Sequence, residues 1–330
     1  MPSLFSFEVG SLLNIVAILV VGLGVSVMMI WVERRFLGFW SDRLGPNRVG
    51  PFGIFQVIAD ALKMLTKEDW IPPFSDKFTF VLAPMIIPIV MLLSIAVIPF
   101  APGVGVIDLN IGLLWIFAMA GLASYSTMLG GLASNNKFSL LGALRGAGQM
   151  ISYEVFMGIS ILGVVILADS FTLRDIVEAQ RDGWFVVPQF FGFLVFTVAG
   201  IAESHRWPFD LPEGESEIIS GYNTEYSGMK FGLFMIGEYI GMVVMSALMP
   251  VLFFGGWHAP FGLEIGTPLI SGLFWMSLKT GFFLLFFVLV RAALVRPRYD
   301  QFMSYGWLVM LPLSLINLLV TGAVVLYQAG

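Results

Sequence analysis

The sequence predicts an all-α polytopic membrane protein: a single membrane domain over residues 1–330, with about eight transmembrane helices and an amphipathic helix on the membrane surface. Its 330 residues are 58% hydrophobic and only 12% charged, and the mean hydropathy is +0.90. A soluble domain of this length could not bury so much apolar surface, so lipid must form part of its solvent. Uncharged stretches of roughly 20 residues, which cross about 30 Å of hydrocarbon as helix, recur along the chain.

Eight such stretches are predicted to span the membrane. Five of them are free of charge or nearly so: 10–32, 78–100, 112–133, 183–202 and 305–327. The other three each contain one charged residue: 147–168 with Glu154, 232–254 with Glu238, and 272–290 with Lys279. A charged side chain at the centre of a span costs roughly 2.5–3.5 kcal/mol on insertion scales, so these three are candidate functional residues. The alternative is a structural pair, in which Glu238 and Lys279 face each other from neighbouring spans and only hold the helices together.

The distribution of Lys and Arg predicts the orientation of the spans. Of the 17 Lys and Arg residues, all but Arg174, Arg181 and Lys279 lie in the connections after spans one, three, five and seven. Positively charged loops remain in the cytoplasm. These connections are therefore predicted to be cytoplasmic, and both termini are predicted to be non-cytoplasmic.

The first cytoplasmic connection, residues 33–77, contains a predicted amphipathic helix at about 53–67. Its apolar residues recur at a spacing of three or four, and polar side chains take the opposite face; the apolar set includes Ile54, Ile58, Leu62 and Leu65. The helix is too short to span a bilayer, so it is expected at the membrane surface. A lid packed on other helices of the protein is an equally good interpretation, and the two are compatible.

The third cytoplasmic connection, residues 203–231, contains the segment ESHRWPFDLPEGESEIISGYNTEYSG, which gathers six carboxylates around one Arg. The acids are Glu203, Asp210, Glu213, Glu215, Glu217 and Glu225. One interpretation is a solvated loop in which Asp210 caps a helix and Glu213 follows three residues later. The other is a proton relay, because carboxyl groups packed together in a low dielectric raise one another's pKa and exchange protons near neutral pH. The relay is the stronger hypothesis, since the cytoplasmic side of a membrane protein favours positive charge.

Redox centres and metals are predicted to lie outside this chain. Cysteine is absent, which excludes thiolate-held iron–sulfur clusters, and two histidines, His205 and His258, are too few to favour an internal haem or zinc site. No metal site and no covalently bound cofactor is therefore expected. Any redox chemistry must belong to a partner or to a diffusible substrate, and no nucleic-acid partner is expected.

Four segments of the chain resemble the quinone-site membrane subunit of respiratory complex I, called the H-subunit in bacteria and subunit 1 in mitochondria. They are ERRFLGFWSDRLGPNRVGPFGIFQVIADALKMLTKEDWIPP, GALRGAGQMISYE, the acidic segment quoted above, and RPRYDQFMSYGW. The resemblance runs in order from about Glu33 to the last span. Membrane-bound hydrogenases contain related subunits, but the acidic segment resembles the quinone-reducing branch more closely. Ser41 stands where the family often has Gln, Leu308 where it often has Lys, and Gly148 where Ala is common, so roles attributed to Ser41 and Leu308 are not transferred.

The resemblance implies a role in quinone entry. In the family, the first span, the surface helix and the sixth span frame a lipid-side entrance for ubiquinone or menaquinone. In this sequence the entrance and the cavity behind it would be formed by Arg34, Arg35, Phe39, Phe52, Phe55, Arg206 and Asp210. An apolar isoprenoid tail needs such an aromatic passage.

The resemblance also implies a proton path that starts at the quinone cavity. Its members would be Glu154, Glu203, Glu213, Glu215, Glu217, Glu225, Glu238 and Lys279. The counter-charges would be Arg145, Arg291, Arg296 and Arg298. Coupled carboxyl groups would then convert the change in charge on quinone reduction into proton translocation.

The partners implied are the other membrane subunits of complex I, the quinone-proximal subunits of the peripheral arm, and membrane lipid. NADH, FMN and iron–sulfur clusters would belong to partner subunits only, and this chain would be a non-redox subunit of NADH:quinone oxidoreductase. A bacterial inner membrane is expected rather than a mitochondrial inner membrane. The alternatives are a membrane subunit of a related hydrogenase and a stand-alone proton-coupled transporter that uses the same buried acids.

Overall fold

The structure is a computed structural model that describes residues 9–329, and these residues form helices connected by turns and loops. In chain order the helices are α1 (Val9–Trp40), α2 (Gln56–Thr66), α3 (Lys77–Ile95), α4 (Gly112–Ala133), α5 (Lys137–Ala168), α6 (Leu173–Glu178), α7 (Phe190–Glu203), α8 (Glu215–Ile218), α9 (Gly228–Phe253), α10 (Pro268–Ala293), α11 (Tyr299–Tyr305) and α12 (Leu311–Ala329). A turn of π-helix, Gly306–Met310, joins α11 to α12 as one continuous helix. No β-sheet forms within residues 9–329, and the all-α class is confirmed.

Within residues 9–329, seven helices are long and apolar enough to cross a bilayer: α1, α3, α4, α5, α9, α10 and the continuous helix Tyr299–Gln328. The predicted span at 183–202 is wrong in its extent, because helix α7 has only 14 residues and a length of about 21 Å. The residues before it form turns, and Val186 donates its backbone N–H to the Phe253 carbonyl at the end of α9. Hydropathy depends only on the side chains of this segment. It therefore does not show that the backbone is hydrogen-bonded to another helix.

Helix α9 lies at the centre of the bundle, and α1 lies at its edge. In the most apolar 18-residue stretch of α9, 94% of the residues are buried inside the protein, against 17% in the corresponding stretch of α1. Close packing of α9 on α3 depends on Gly237, since a Cβ atom there would lie 2.5 Å from Cγ2 of Ile87. Most of the α1 surface is therefore left for lipid or for other subunits.

The loops gather at two ends of the bundle, which we call the acidic end and the far end. The acidic end holds the connections after α1, α4, α7 and α10; for example, Lys230 Nζ lies 2.7 Å from Asp69 Oδ2. The far end holds the connections after α3, α5 and α9, where Leu113 donates its N–H to the Phe171 carbonyl at 3.1 Å. The connections rich in Lys and Arg thus share one end of the molecule.

Helix α2, which corresponds to the predicted amphipathic helix, lies against the acidic end of α1 and α9. One face is attached to the protein, since Val57 is buried and Asp60 forms an ion pair with Arg34 of α1. The opposite face carries an apolar stripe of Ile58, Leu62 and Leu65, which are 56%, 57% and 62% exposed. The helix therefore combines a packed face with an apolar outer face suited to a membrane surface.

Candidate functional site

A polar cavity of about 710 Å³ lies at the acidic end, between the end of α1, the turn after it, the loop between α7 and α9, and α9 itself. Its charged lining residues are Glu33, Arg34, Arg43, Arg206, Asp210, Glu213, Glu215, Glu238 and Arg291. His205, Trp207 and Tyr239 complete much of the remaining wall. Opposite charges thus share one pocket in a chain of low charge content.

The turn after α1 folds back onto the helix and forms one wall of this cavity. A Cβ atom on Gly45 would lie 2.8 Å from the Arg34 carbonyl oxygen, so only glycine permits this approach. Arg35 reinforces the turn by donating from Nη1 to the Pro46 carbonyl at 3.0 Å. The Gly- and Pro-rich segment after the first span therefore shapes the cavity.

The loop between α7 and α9 forms the opposite wall and is held by α5. Gln149 donates from Nε2 to the carbonyls of Ala202 at 2.7 Å and Phe209 at 2.8 Å, and so fixes both ends of the turn that carries Arg206. Farther along, a Cβ atom on Gly142 of α5 would lie 2.6 Å from the Pro212 carbonyl oxygen. The acidic loop is thus packed against a helix rather than freely solvated.

Glu33 is the centre of the first charged group. It is 3% exposed, and its carboxylate accepts hydrogen bonds from Arg291 and from the Tyr239 hydroxyl, the latter at 2.7 Å. Arg206 Nη1 lies 3.9 Å from the same carboxylate, and its guanidinium lies 3.7 Å from the centre of the Tyr239 ring. Two fixed cations therefore surround one buried carboxylate.

The sequence patterns did not predict Glu33 or Tyr239 as site residues. Glu33 is the first charged residue after the predicted span at 10–32, so the sequence pattern places it in the loop, whereas α1 continues to Trp40. Tyr239 follows Glu238 directly and carries no signal of its own in the sequence. A charged residue at the end of an apolar span was the available clue for Glu33.

Asp210, Glu213 and Glu238 form the second charged group. The Tyr222 hydroxyl donates to Glu238 Oε1 at 2.9 Å, and Asn223 donates from Nδ2 to Glu213. Burial, together with the nearby Glu213, raises the pKa of Asp210 to about 8. Burial also raises the pKa of Glu213, although the hydrogen bond from Asn223 opposes the shift. Carboxyl groups of this loop can therefore hold protons near neutral pH.

Glu203 lies at the end of α7 and Glu154 lies in α5, and the two are close enough to interact electrostatically. Glu203 is 2% exposed, and within the described part of the chain neither carboxyl oxygen has a hydrogen-bond partner. Glu154 is half-buried and faces α4, where a Cβ atom on Gly121 would lie 3.2 Å from its Oε1. The two acids extend the carboxyl series from the cavity toward the middle of the bundle.

The other predicted acids and cations divide between the cavity and the outer surface. Glu215 lines the cavity, whereas Glu217 pairs with Arg145 beside it. Glu225 accepts a hydrogen bond from Asn136 at 2.7 Å, away from the cavity wall. Arg296 donates to the Asp210 backbone carbonyl, while Arg298 is exposed and pairs with Asp300.

Of the seven residues predicted for the entrance and the cavity behind it, three line the cavity: Arg34, Arg206 and Asp210. Phe39, Phe52 and Phe55 are 57%, 70% and 51% exposed and lie on the outer surface. Arg35 stacks at 4.9 Å from the centre of the Phe39 ring. The aromatic residues therefore stand outside the cavity, on the surface that α1 and α2 share.

Glu238 and Lys279 do not form the structural pair that the sequence left open as an alternative. Lys279 Nζ donates to three backbone carbonyls at the far end: Phe254 at 2.7 Å, Gly256 at 2.9 Å and His258 at 2.8 Å. Glu238 lies about four helical turns, or about 22 Å, before the end of α9. Lys279 therefore stabilises the end of α9, where the helix dipole is negative, rather than a carboxylate.

Comparisons with known proteins show to which family the chain belongs. The family model described as NADH dehydrogenase matches residues 13–322. The H-subunit of NADH-quinone oxidoreductase from Methylococcus capsulatus is 61% identical over 316 residues, which cover 96% of this chain and 98% of the relative. The chain belongs to this family of NADH-quinone oxidoreductase membrane subunits. The resemblance stated from the motifs is confirmed, and so is the enzyme class at the level of the complex.

The family assignment leaves the roles of single residues open. Among the residues whose side chains are described, no three His, Cys, Asp or Glu groups lie together so as to hold a metal ion. The polar cavity and its carboxyl groups are the features of this subunit on which a chemical role can be built.

Proposed function

We propose that the chain forms the lipid-side quinone entrance and part of the quinone cavity of a proton-pumping NADH:quinone oxidoreductase, and couples quinone reduction to proton translocation. The observation that carries the proposal is the polar cavity, in which Arg206 and Arg291 flank Glu33 beside carboxyl groups of raised pKa. A quinone becomes a quinol by taking up electrons and protons, so negative charge develops before the protons arrive. The cations stabilise that charge, and the neighbouring acids supply or relay protons.

The entrance lies where α1, α2 and α9 meet. The outer side of this junction carries the exposed rings of Phe52 and Phe55 and the apolar stripe of α2, which suit an isoprenoid tail. The inner side carries Arg34 on the cavity wall, held by Asp60 of α2. The quinone ring would pass from the apolar side to the polar side, and the isoprenoid tail would remain in the passage.

The proton path begins at the cavity and continues along buried acids. Asp210 and Glu213 lie in the loop between α7 and α9. Glu238 follows on α9, where it accepts a hydrogen bond from Tyr222. Glu203 and Glu154 then continue toward α4. Because these groups interact electrostatically, a change in charge on one alters the proton affinity of the next. Lys279 donates to three backbone carbonyls at the far end, which favours a structural role, so we leave it out of the path.

The complex would supply the electrons. NADH, FMN and iron–sulfur clusters would reside in partner subunits, and the acidic end would face the cytoplasm and dock the peripheral arm. Other complex I membrane subunits would cover part of the bundle in the bacterial inner membrane. Purification in mild detergent tests this assembly: subunits that contain flavin and iron–sulfur clusters should copurify, whereas a lone transport-active chain would contradict it.

The coupling role is tested by comparing Glu238→Gln with Glu225→Gln in the reconstituted complex. Glu238 is buried among ionisable groups, while Glu225 bonds to Asn136 away from the cavity. We expect Glu238→Gln to assemble but to lose most quinone reduction and proton pumping, and Glu225→Gln to lose less of both. Normal pumping by assembled Glu238→Gln would overturn the proposal.

A further inference from the structure

Two adjoining apolar grooves border α1 and α10, and together we call them the α1–α10 seam. Its first part, of about 400 Å³, is lined by α1 residues between Ala17 and Val25, by the end of α3, and by α9 and α10. Its second part, of about 760 Å³, is lined by Met29, Val32, α10, Trp184 and Phe254. The two parts adjoin because they share three residues of α10: Ser277, Gly281 and Leu284.

The seam has the depth and chemistry of a site for a hydrocarbon chain. From Ala17 to Val32 it follows α1 for about 22 Å, which exceeds the roughly 15 Å of a single leaflet's hydrocarbon. Its walls are almost entirely aliphatic and aromatic. The one charged residue in the wall, Lys279, already donates to three carbonyls, so it offers no free N–H to a ligand. An empty apolar groove would leave its walls without contacts, whereas a hydrocarbon chain would restore them.

The seam is separate from the polar cavity. None of the residues that line its two parts also lines the polar cavity, although Val32 and Glu33 are adjacent in α1. The second part reaches the far end of the bundle beside Trp184 and Trp275, and the Trp275 indole donates to the Leu263 carbonyl at 2.9 Å. Tryptophan is enriched at the level of lipid headgroups. The seam also borders exposed apolar side chains of α1 and α10.

We infer that the α1–α10 seam binds one acyl chain of a phospholipid whose headgroup lies at the far end, near the two tryptophans. The chain fills the space between α1 and the bundle. The chain packs against the far-end half of α1, whereas the other end of α1 is held at the polar cavity by the bonds of Glu33 and Arg34. The site is a lipid site of this subunit and does not depend on the proposed roles of the carboxyl groups.

Gly281 provides the variant that closes the seam. It lines both parts, and a Cβ atom there would meet no atom within 4 Å, so a larger side chain can enter the groove from this position. Gly322 of α12 is the matched control, since a Cβ atom there also meets no atom within 4 Å and the residue lines neither part. Both substitutions add the same bulk to a membrane helix.

The experiment uses the whole complex in vesicles with two photoactivatable probes, a phospholipid labelled on its acyl chain and a quinone labelled on its isoprenoid tail. We expect the phospholipid probe to label peptides containing residues 17–32 and 273–285 in the wild-type complex. Gly281→Phe should lose most of this labelling, and Gly322→Phe should retain it. Labelling of these peptides by the quinone tail in place of the phospholipid would overturn the inference, as would labelling that Gly281→Phe leaves unchanged. If Gly281→Phe does not assemble, the wild-type peptide map decides: absence of phospholipid labelling at the seam would overturn the inference.

Discussion

The two ends of the bundle both bury polar side chains, but they satisfy them differently. At the far end, Gln180 forms four hydrogen bonds and Lys279 three, all with backbone groups; the backbone partners of Gln180 belong to Ile176, Phe185, Val251 and Gly255. At the acidic end, Glu33, Arg206 and Glu238 interact with other ionisable side chains. Asp210 Oδ1 and both oxygens of Glu203 have no partner within the described part of the chain.

This difference separates structural polar groups from groups that can respond to charge. A backbone carbonyl cannot gain or lose a proton, so the far-end bonds are fixed and contribute stability. A carboxyl group beside other carboxyl groups changes its proton affinity whenever a neighbour changes charge. Substitutions at the far end should therefore alter assembly, and substitutions at the acidic end should alter turnover and its pH dependence.

Lys279→Met should have the largest effect on stability. It removes three charge-assisted hydrogen bonds and leaves three carbonyls at the end of α9 without that donor, a loss of at least about 3 kcal/mol. We expect little assembled complex and a short thermal half-life, but near-normal turnover for each complex that assembles. Blue-native electrophoresis combined with activity per assembled complex measures both. A stable complex without turnover would instead place Lys279 in the proton path.

The double variant Glu238→Gln with Lys279→Met provides the control for this prediction. Because the two side chains lie at different depths of the bundle and share no partner, their effects should add. The double variant should therefore assemble as poorly as Lys279→Met and turn over as slowly as Glu238→Gln. Rescue of assembly by the second substitution would show that the two residues interact.

Tyr239→Phe should slow turnover by roughly tenfold without loss of assembly. The ring that stacks on Arg206 is retained, but the hydroxyl that donates to Glu33 is removed, and a hydrogen bond to a charged group contributes about 1.5 kcal/mol or more. Steady-state quinone reduction measures the change. Tyr226→Phe is the matched control, since its hydroxyl donates to the neutral Gly130 carbonyl at 3.4 Å rather than to a carboxylate. Equal effects of the two substitutions would count against a special role for the acidic end.

Asp210→Asn should change the pH dependence of stability by a smaller amount. Burial and Glu213 raise the pKa of Asp210 from its ordinary value of 3.8 to about 8, so the native protein binds a proton that the unfolded chain releases. The contribution is fully present below pH 3.8 and is lost as the pH rises through about 8. Between about pH 6 and about pH 9, the thermal half-life of the wild-type complex should fall more steeply than that of Asp210→Asn. Parallel curves for the two proteins would contradict the raised pKa.

Sequence patterns predicted helices better than side-chain partners. Of the eight spans predicted from apolar runs, seven correspond to long apolar helices in the described residues, and Glu238 and Lys279 lie in two of them. The alternative of a pair between these two residues was not met, because adjacency of spans in the sequence does not state at which depth each side chain lies. Glu33 and Tyr239 escaped prediction because their importance arises only where α1, α9 and α10 meet. The length of α7 failed because backbone bonds of the turn before it are tertiary.

Phe55→Asp should have the smallest effect, and only on long-tailed quinones. Phe55 is 51% exposed beside α2, and a charge there must lose water when an isoprenoid tail passes over it. We expect quinone reduction to fall severalfold with long-tailed quinones and to change little with short, soluble analogues. Phe78→Asp is the control, because Phe78 is 76% exposed at the start of α3 and also lies at the acidic end. Equal losses with both kinds of quinone, or the same selectivity in Phe78→Asp, would argue that quinone does not enter beside α2. A selective loss at Phe55 alone would indicate that quinone passes over the exposed aromatic surface on its way to the polar cavity behind Arg34. The acidic end would then differ from the far end also in providing the route by which the substrate arrives.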